Sequence, residues 1–279
     1  MLGRMPARLS VLLRASHPVP CVAVTALATA LVAVAGKPAG QCLLAAAAVL
    51  AGQLTIGWSN DLIDAPRDRA AGRADKPLAV RPELTGMLRW SLAGAVLLAT
   101  VLSLGLGWRA ALLHAVTVVG GWAYNLGLKA TPASALAYFA AFGALPAMAT
   151  AVTPDPRTAP AWAMLAAGLV GVAAHFGNVL PDLPDDLAAG VLGLPQRLGA
   201  RWSVLAAAGA LLLAAGLVGV RVGSRHPAAT LAGIAVVLGL VLAALVSVLR
   251  RPRGQGAFLA TMAAAAVDVA ILAVNHGLG

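Results

Sequence analysis

Residues 60–77 read NDLIDAPRDRAAGRADKP, and residues 178–195 read NVLPDLPDDLAAGVLGLP. At a constant offset of 118, nine of the 18 positions are identical: Asn60/Asn178, Leu62/Leu180, Asp64/Asp182, Pro66/Pro184, Asp68/Asp186, Ala70/Ala188, Ala71/Ala189, Gly72/Gly190 and Pro77/Pro195. Acids, prolines and spacing recur together, which marks an internal repeat rather than two unrelated polar loops. Each copy follows directly on an apolar stretch, so the nature of those stretches decides the fold.

The 279 residues are 60% hydrophobic and only 11% charged, with a mean hydropathy of +0.87. Soluble domains carry about 25% charged residues. An ordinary cytosolic globule, a disordered chain and a secreted disulfide scaffold are thereby excluded. Nine stretches approach the roughly 20 residues needed to span a bilayer, at 18–36, 40–58, 86–106, 109–128, 133–152, 160–180, 201–220, 227–249 and 256–275. The first follows Arg4, Arg8 and Arg14 but lacks a polar cleavage region, so it reads as a retained helix rather than a signal peptide. Cys21 and Cys42 both fall in apolar stretches, as small helix-facing residues.

Twenty Lys and Arg stand against ten Asp and Glu. With nine spans, the side holding the N-terminus and both repeated motifs receives 15 of the 20 basic residues, Arg251 and Arg253 among them, and is expected to be cytosolic. Aromatic residues make up 4% of the chain and do not interleave with a basic run, which excludes nucleic acid as a partner. Arg outnumbers Lys 17 to 3 in an Ala- and Gly-rich chain, pointing to a GC-rich bacterial genome and a cytoplasmic membrane. Four spans separate the motif copies, so both close helices of the same direction and can face one another. The expected fold is all-α: a polytopic membrane protein of about nine helices around a central cavity. It forms one domain over 1–279, with parallel four-helix repeats at 18–128 and 133–249 plus one further helix.

Eight of the ten acids lie in the two motif segments; only Asp155 and Asp268 lie elsewhere. Asn-x-x-x-Asp-x-x-x-Asp puts its polar groups on one side of a helix, so Asn60, Asp64 and Asp68 share a face, as do Asn178, Asp182 and Asp186. Asp61 meets Asp64 at i, i+3. Pro66 and Pro184 are expected to bend or end their helices. Carboxylates so close repel unless a cation separates them. Hard oxygen ligands suit Mg²⁺, which takes one or two carboxylates plus substrate phosphates, at helix ends whose dipole favours a cation. Two facing sites of this kind would bind a diphosphate, with Lys76 and Arg197 as candidate contacts. Solvated loops whose acids balance local Arg remain the bland alternative, and the in-register duplication counts against them.

These residues resemble the UbiA superfamily of intramembrane prenyltransferases over nearly the whole chain. Asn60 to Asp68 matches its NDxxDxxxD pattern, and Lys76-Pro77-Leu78 resembles the basic-Pro-Leu step that follows. Asp182 and Asp186, with Gly190 and Leu194-Pro195-Gln196-Arg197-Leu198-Gly199, resemble the second motif and its tail. Tyr124 to Lys129 resembles the Tyr…Lys step after the fourth helix. The resemblance implies that Asn60, Asp61, Asp64, Asp68, Asn178, Asp182 and Asp186 organise Mg²⁺. Asp64, Asp68, Asp182 and Asp186 are its catalytic core, and Lys76, Tyr124, Lys129 and Arg197 face diphosphate or the allylic cation. It departs at Val179, where many members repeat the Asn-Asp pair, and at Gly193, commonly Thr.

Outside the motifs, Asp268 lies near the middle of the ninth span, where an unpaired charge costs several kcal/mol. Its readings are an acceptor-side acid or proton relay, or a carboxyl hydrogen-bonded to a neighbouring helix. His175 stands on the Asn178–Asp182 stripe as a group that takes a proton from the acceptor or lines the diphosphate pocket, or as a structural hydrogen-bonding group. His114 reads as structural, and Arg14 and His17 as interface anchors or, alternatively, diphosphate contacts. The function expected is Mg²⁺-assisted transfer of an isoprenyl group from a prenyl diphosphate to a small-molecule acceptor. A terpene cyclase of the same fold needs no acceptor, and an ion-coupled transporter would place its ionisable groups at mid-membrane.

Overall fold

The computed structural model describes residues 6–250 and 254–278; Arg4, Arg251 and Arg253 of the charge count lie outside them. The described residues are helical, with no strand. In chain order the helices are α1 Ala7–Ala15, α2 Pro18–Val34, α3 Ala39–Ala70, α4 Pro77–Val80, α5 Thr85–Gly105 and α6 Trp108–Asn125. They continue as α7 Ser134–Ala151, α8 Ala161–Val179, α9 Leu183–Ala188, α10 Leu194–Val222, α11 Pro227–Arg250 and α12 Gly256–Val274.

Nine of these are long: α2, α3, α5, α6, α7, α8, α10, α11 and α12. They coincide with the nine expected spans. Seven are long and apolar enough by themselves to cross a membrane, and α1 with α2, bent by 57°, makes an eighth. The ninth, α6, carries polar residues that find protein partners instead of lipid. His114 Nδ1 lies 2.7 Å from Ser103 Oγ, Trp122 Nε1 donates to Thr55 Oγ1, and Asn125 Nδ2 donates to Ile56 O and Ser59 Oγ, both at 2.9 Å.

The inner wall is built by α2, α3, α6, α7, α8 and α12, with α2 closing the ring by packing on α3, α7 and α12. α5 lies outside against α3, and α11 outside against α12. The buried share of the apolar window falls from 67% in α7 and α8 to 11% in α11, which leaves α11 most of its surface for lipid. Small residues set the closest approaches. At Gly171 of α8 a Cβ would strike the Tyr138 carbonyl of α7.

Two local departures position the site. Pro66 does not end α3, which runs on to Ala70, whereas the second copy breaks: α8 stops at Val179, residues 180–182 form a 3₁₀ turn, and α9 follows. The second copy carries Pro181 where the first has Ile63, so two prolines three residues apart remove two backbone donors and clash with the preceding turn. The other departure is Gly199 (φ 77°), which kinks α10 and separates residues 194–198 from the membrane-length part of the helix.

Candidate functional site

Both motif copies open onto one polar cavity of about 500 Å³ at the end of the bundle where α3 and α8 finish. Asn60, Asp64, Asp68, Asn178, Asp182 and Asp186 all line it, joined by Lys76, Tyr124 and Lys129. Periodicity explains the first three: residues 60, 64 and 68 rise along one stripe of α3.

Asp64 is the most heavily partnered carboxylate. Lys129 Nζ donates to both of its oxygens at 2.7 Å, Arg67 lies 3.2 Å away, and Asn60 Nδ2 donates to Oδ2 at 3.2 Å. Asn60 also donates to Asn125 Oδ1 at 3.3 Å. Asp61 turns away from the cavity. It is buried, paired with His17 Nε2 at 3.2 Å and Lys76 Nζ at 3.8 Å, and its Oδ2 has no partner. His17 sits at the left-handed joint between α1 and α2 (φ 51°) and lines the cavity beside Arg14. The joint is pressed onto α3: a Cβ on Gly57 would lie 2.7 Å from Ser16 O, and Trp58 Nε1 donates to Leu12 O at 3.0 Å.

The second copy is more open. Asp186 accepts from Gln196 Nε2 at 2.8 Å, and Asn178 Nδ2 donates to the Tyr138 hydroxyl at 3.4 Å. Arg73 spans the mouth. It pairs bidentately with Asp75 at 2.8 Å and reaches Asp182 and Asp185 at 3.8 Å. The Arg73 guanidinium pulls the Asp75 carboxyl down to about 2, chiefly through that hydrogen bond, and Arg73 is itself shifted upward by it. Arg14 donates to the Asp75 carbonyl at 2.7 Å, tying α1 to the same loop.

A second, apolar cavity of about 170 Å³ lies below, walled by residues such as Val24, Ile56, Gly121, Phe142 and Leu145. His17, Asn60, Tyr124 and Asn178 line both cavities. Tyr124 stands at this junction, edge-on to Tyr138 (5.2 Å between centroids) and to His175 (5.5 Å). The molecule thus offers a charged chamber opening directly onto an apolar one.

Four sequence candidates fall outside the charged chamber, the first being Asp61, which lies behind the cavity wall. Arg197 is exposed and donates its Nε to Leu192 O at 2.8 Å. His175 is fully buried, with Nε2 3.0 Å from Ser134 Oγ, which in turn accepts from Leu194 N at 3.0 Å; it joins α8, α7 and α10. Asp268 lines a separate small space farther along the bundle. Conversely, Arg73, Asn125, Tyr138 and Gln196 hold or line the site and were not singled out for it by their types, whereas His17, read as an anchor or a diphosphate contact, lines it and pairs with Asp61. Gln196 was visible only as part of the second motif's tail, and the pairing of His17 with Asp61 joins residues 44 apart.

A polytopic helical membrane protein with paired Asn/Asp motifs around one such chamber defines a recognisable class. The UbiA prenyltransferase family matches residues 22–267, and the chain belongs to it. No curated protein matches in sequence. Among solved structures, the apo form of a UbiA homologue from Aeropyrum pernix K1 superposes with a TM-score of 0.73 at 16% identity, covering 91% of this chain and 97% of that one. A UbiA homologue from Archaeoglobus fulgidus bound to GPP and Mg²⁺ gives 0.71 at 13% identity, covering 96% and 98%. A structure concerning digeranylgeranylglyceryl phosphate synthase gives 0.65 at 17%, covering 96% and 98%.

Proposed function

We propose that this protein transfers an isoprenyl group from a prenyl diphosphate to a small-molecule acceptor, with Mg²⁺ assisting the loss of diphosphate. The observation that carries this reading is the direct junction of the charged and apolar chambers at Asn60, Tyr124 and Asn178. It suits a substrate that is an anion at one end and a hydrocarbon at the other. The Archaeoglobus fulgidus homologues of the same fold bind GPP or DMAPP with Mg²⁺.

The donor set fits the metal. Asp64, Asp68, Asp182, Asp186, Asn60 and Asn178 are hard oxygen donors around one chamber. Among the described residues, no three His, Cys, Asp or Glu side chains converge on a ready cation site. That agrees with Mg²⁺ taking one or two carboxylates and completing its shell with substrate phosphates. When bound, the metal would neutralise the departing diphosphate. Lys129 and Arg67, paired with Asp64, add positive charge where diphosphate sits, and Lys76 adds more beside Asp61. Tyr124 and Tyr138 offer aromatic rings at the junction, where an allylic cation is stabilised by their quadrupoles. The apolar wall of Val24, Ile56 and Phe142 keeps water from that cation.

In this reading residues 18–128 and 133–249 are two halves of a single domain, 1–279, serving one site. Its motif end faces the cytosol, given the 15-to-5 bias in basic residues, in a bacterial cytoplasmic membrane.

The test incubates the purified protein with a panel of prenyl diphosphates, with and without Mg²⁺ and candidate acceptors, reading diphosphate release and products by mass spectrometry. Mg²⁺-dependent prenylated acceptor is expected. Activity that survives both Asp64→Ala and Asp182→Ala would falsify the two-motif site. Hydrocarbon or alcohol product without an acceptor would replace transfer with cyclisation.

A further inference from the structure

The far end of the apolar chamber is a partition. Phe142 and Leu145 line the chamber and, on their other side, border a separate space of about 40 Å³. With Val24 they belong to the packed core of the bundle, where the three are 6%, 2% and 8% exposed. Around the sides, α2, α3, α6 and α7 pack on one another in a ring. At the near end His17, Asn60, Tyr124, Asn178 and Phe258 line both the apolar and the charged chamber. A hydrocarbon tail whose head lies in the charged chamber therefore enters at Asn60 and Tyr124 and runs toward Phe142 and Leu145.

The walls fix how far it can run. The lining covers residues 16–24 from the α1–α2 joint into α2, 53–60 on α3, 117–125 on α6 and 137–145 on α7. Each run advances seven or eight residues, about 10–12 Å at 1.5 Å per residue. An extended hydrocarbon chain advances about 1.25 Å per bond, given a bond of roughly 1.52 Å and an angle of roughly 111°. A geranyl tail is then about 9 Å long, a farnesyl tail about 14 Å and a geranylgeranyl tail about 19 Å. Volume points the same way. At roughly 10–15 Å³ per water, the chamber's 170 Å³ takes about 11–17 waters, and a methylene needs about as much room as a water. Ten carbons fit, twenty do not, and the depth excludes fifteen.

We propose that the partition of Phe142 and Leu145 limits the donor to a tail of at most two isoprene units, so that a geranyl-length diphosphate is accepted and a geranylgeranyl one rejected. This limit rests on the prenyl-transfer reading and adds the length of the substrate to it. Phe142 and Leu145 act on specificity alone: they stand at the far end of the tail, away from the carboxylates and the breaking bond.

The test varies the tail on a constant head. The purified protein in detergent with Mg²⁺ is titrated calorimetrically with the dimethylallyl, geranyl, farnesyl and geranylgeranyl S-thiolodiphosphates, whose sulfur slows loss of diphosphate, and with inorganic diphosphate. Affinity is expected to rise about 10-fold from dimethylallyl to geranyl, as more apolar surface is buried, and to fall at least about 10-fold at geranylgeranyl. Phe142→Ala opens the partition toward the second space. It should raise the farnesyl-to-geranyl affinity ratio about 10-fold over the unmodified protein, a comparison in which partition of the tails into detergent cancels. Ala141→Leu, one turn nearer the mouth than Leu145, shortens the chamber and should lower the geranyl-to-dimethylallyl ratio about 10-fold. Geranylgeranyl binding as tightly as geranyl in the unmodified protein overturns the length limit, and ratios unchanged in the variants overturn the role of the partition. Should Phe142→Ala not fold, the unmodified series and Ala141→Leu decide. If no tail binds better than inorganic diphosphate, the prenyl-diphosphate reading itself fails and the limit falls with it.

Discussion

The two copies of the Asn-x-x-x-Asp-x-x-x-Asp run share spacing, direction and cavity, yet they are held in opposite ways. The first lies on an unbroken α3, and its Asp64 side chain is 8% exposed and tied to Lys129, Arg67 and Asn60. The second is divided between α8, a 3₁₀ turn and α9, and its Asp182 side chain is 57% exposed, with Arg73 at 3.8 Å. The copies diverge where Pro181 replaces Ile63, and where Val179 replaces the buried Asp61 that pairs with His17 and Lys76. The difference teaches that one motif serves as a pre-built wall and the other as an open jaw. Substitutions in the first should disturb both stability and activity, and those in the second activity alone.

The sharpest way to break this comparison is to remove one carboxylate from each copy. Asp64→Ala leaves Lys129 and Arg67 facing each other in a partly buried site. A loss on the order of 10²–10³-fold in turnover is expected, with about 3 kcal/mol lost from stability. Asp182→Ala should match that loss of turnover and shift stability by no more than about 0.5 kcal/mol. Thermal melts beside product assays check both, and equal destabilisation by the two variants would sink the wall-and-jaw distinction.

Next in size is Gly57→Ala, which touches no carboxylate. Its Cβ would crowd Ser16 O and push the α1–α2 joint, and with it His17, away from Asp61. About 1–3 kcal/mol of destabilisation is expected from overpacking, with Mg²⁺ affinity weakened in the same variant. In the second copy, Gln196→Leu frees Asp186 from its one side-chain hydrogen bond donor. A loss of about 10-fold in Mg²⁺ affinity or turnover is expected, as for other residues that orient a metal ligand, with melting unchanged.

The smallest effect concerns Arg73, which latches the first copy's loop to the second copy. A carboxyl depressed to about 2 contributes stability above its unfolded value of about 3.9. That contribution is lost only as pH falls toward 2. Protease cutting in residues 71–76 should therefore stay constant from pH 5 to 8 and rise below about pH 4. In Arg73→Ala it should be raised a few-fold at every pH, roughly as expected for a solvent-screened pair. Cutting that changes between pH 5 and 8 would show that another group controls the latch.

Much of this was legible in one dimension. Apolar length placed all nine long helices, because a bilayer-spanning helix must satisfy its own backbone within one segment. The i, i+4, i+8 spacing placed Asn60, Asp64 and Asp68 on one stripe, because helical phase is a local property. Of the two outcomes expected at Pro66, α3 does not end there but runs on to Ala70, and the polar side chains of α6, one of the nine spans, bond to α3 and α5. Arg197, expected at the diphosphate, is exposed and donates to Leu192 O, while its neighbour Gln196 reaches Asp186, a partnership ten residues away that the motif alone does not show.

Composition, span count and the duplicated carboxylate pattern follow from hydrophobicity and periodicity, which act within a few turns of chain. Partnership does not. Lys129 meets Asp64 across 65 positions, His17 meets Asp61 across 44, and Asp268 is left without a partner beside an apolar space. These outcomes depend on how the helices pack around the cavity, and packing decides which charges lose water and which neighbour replaces it. Two strings of residues that match at nine of 18 positions became a buried wall and an exposed jaw for that reason.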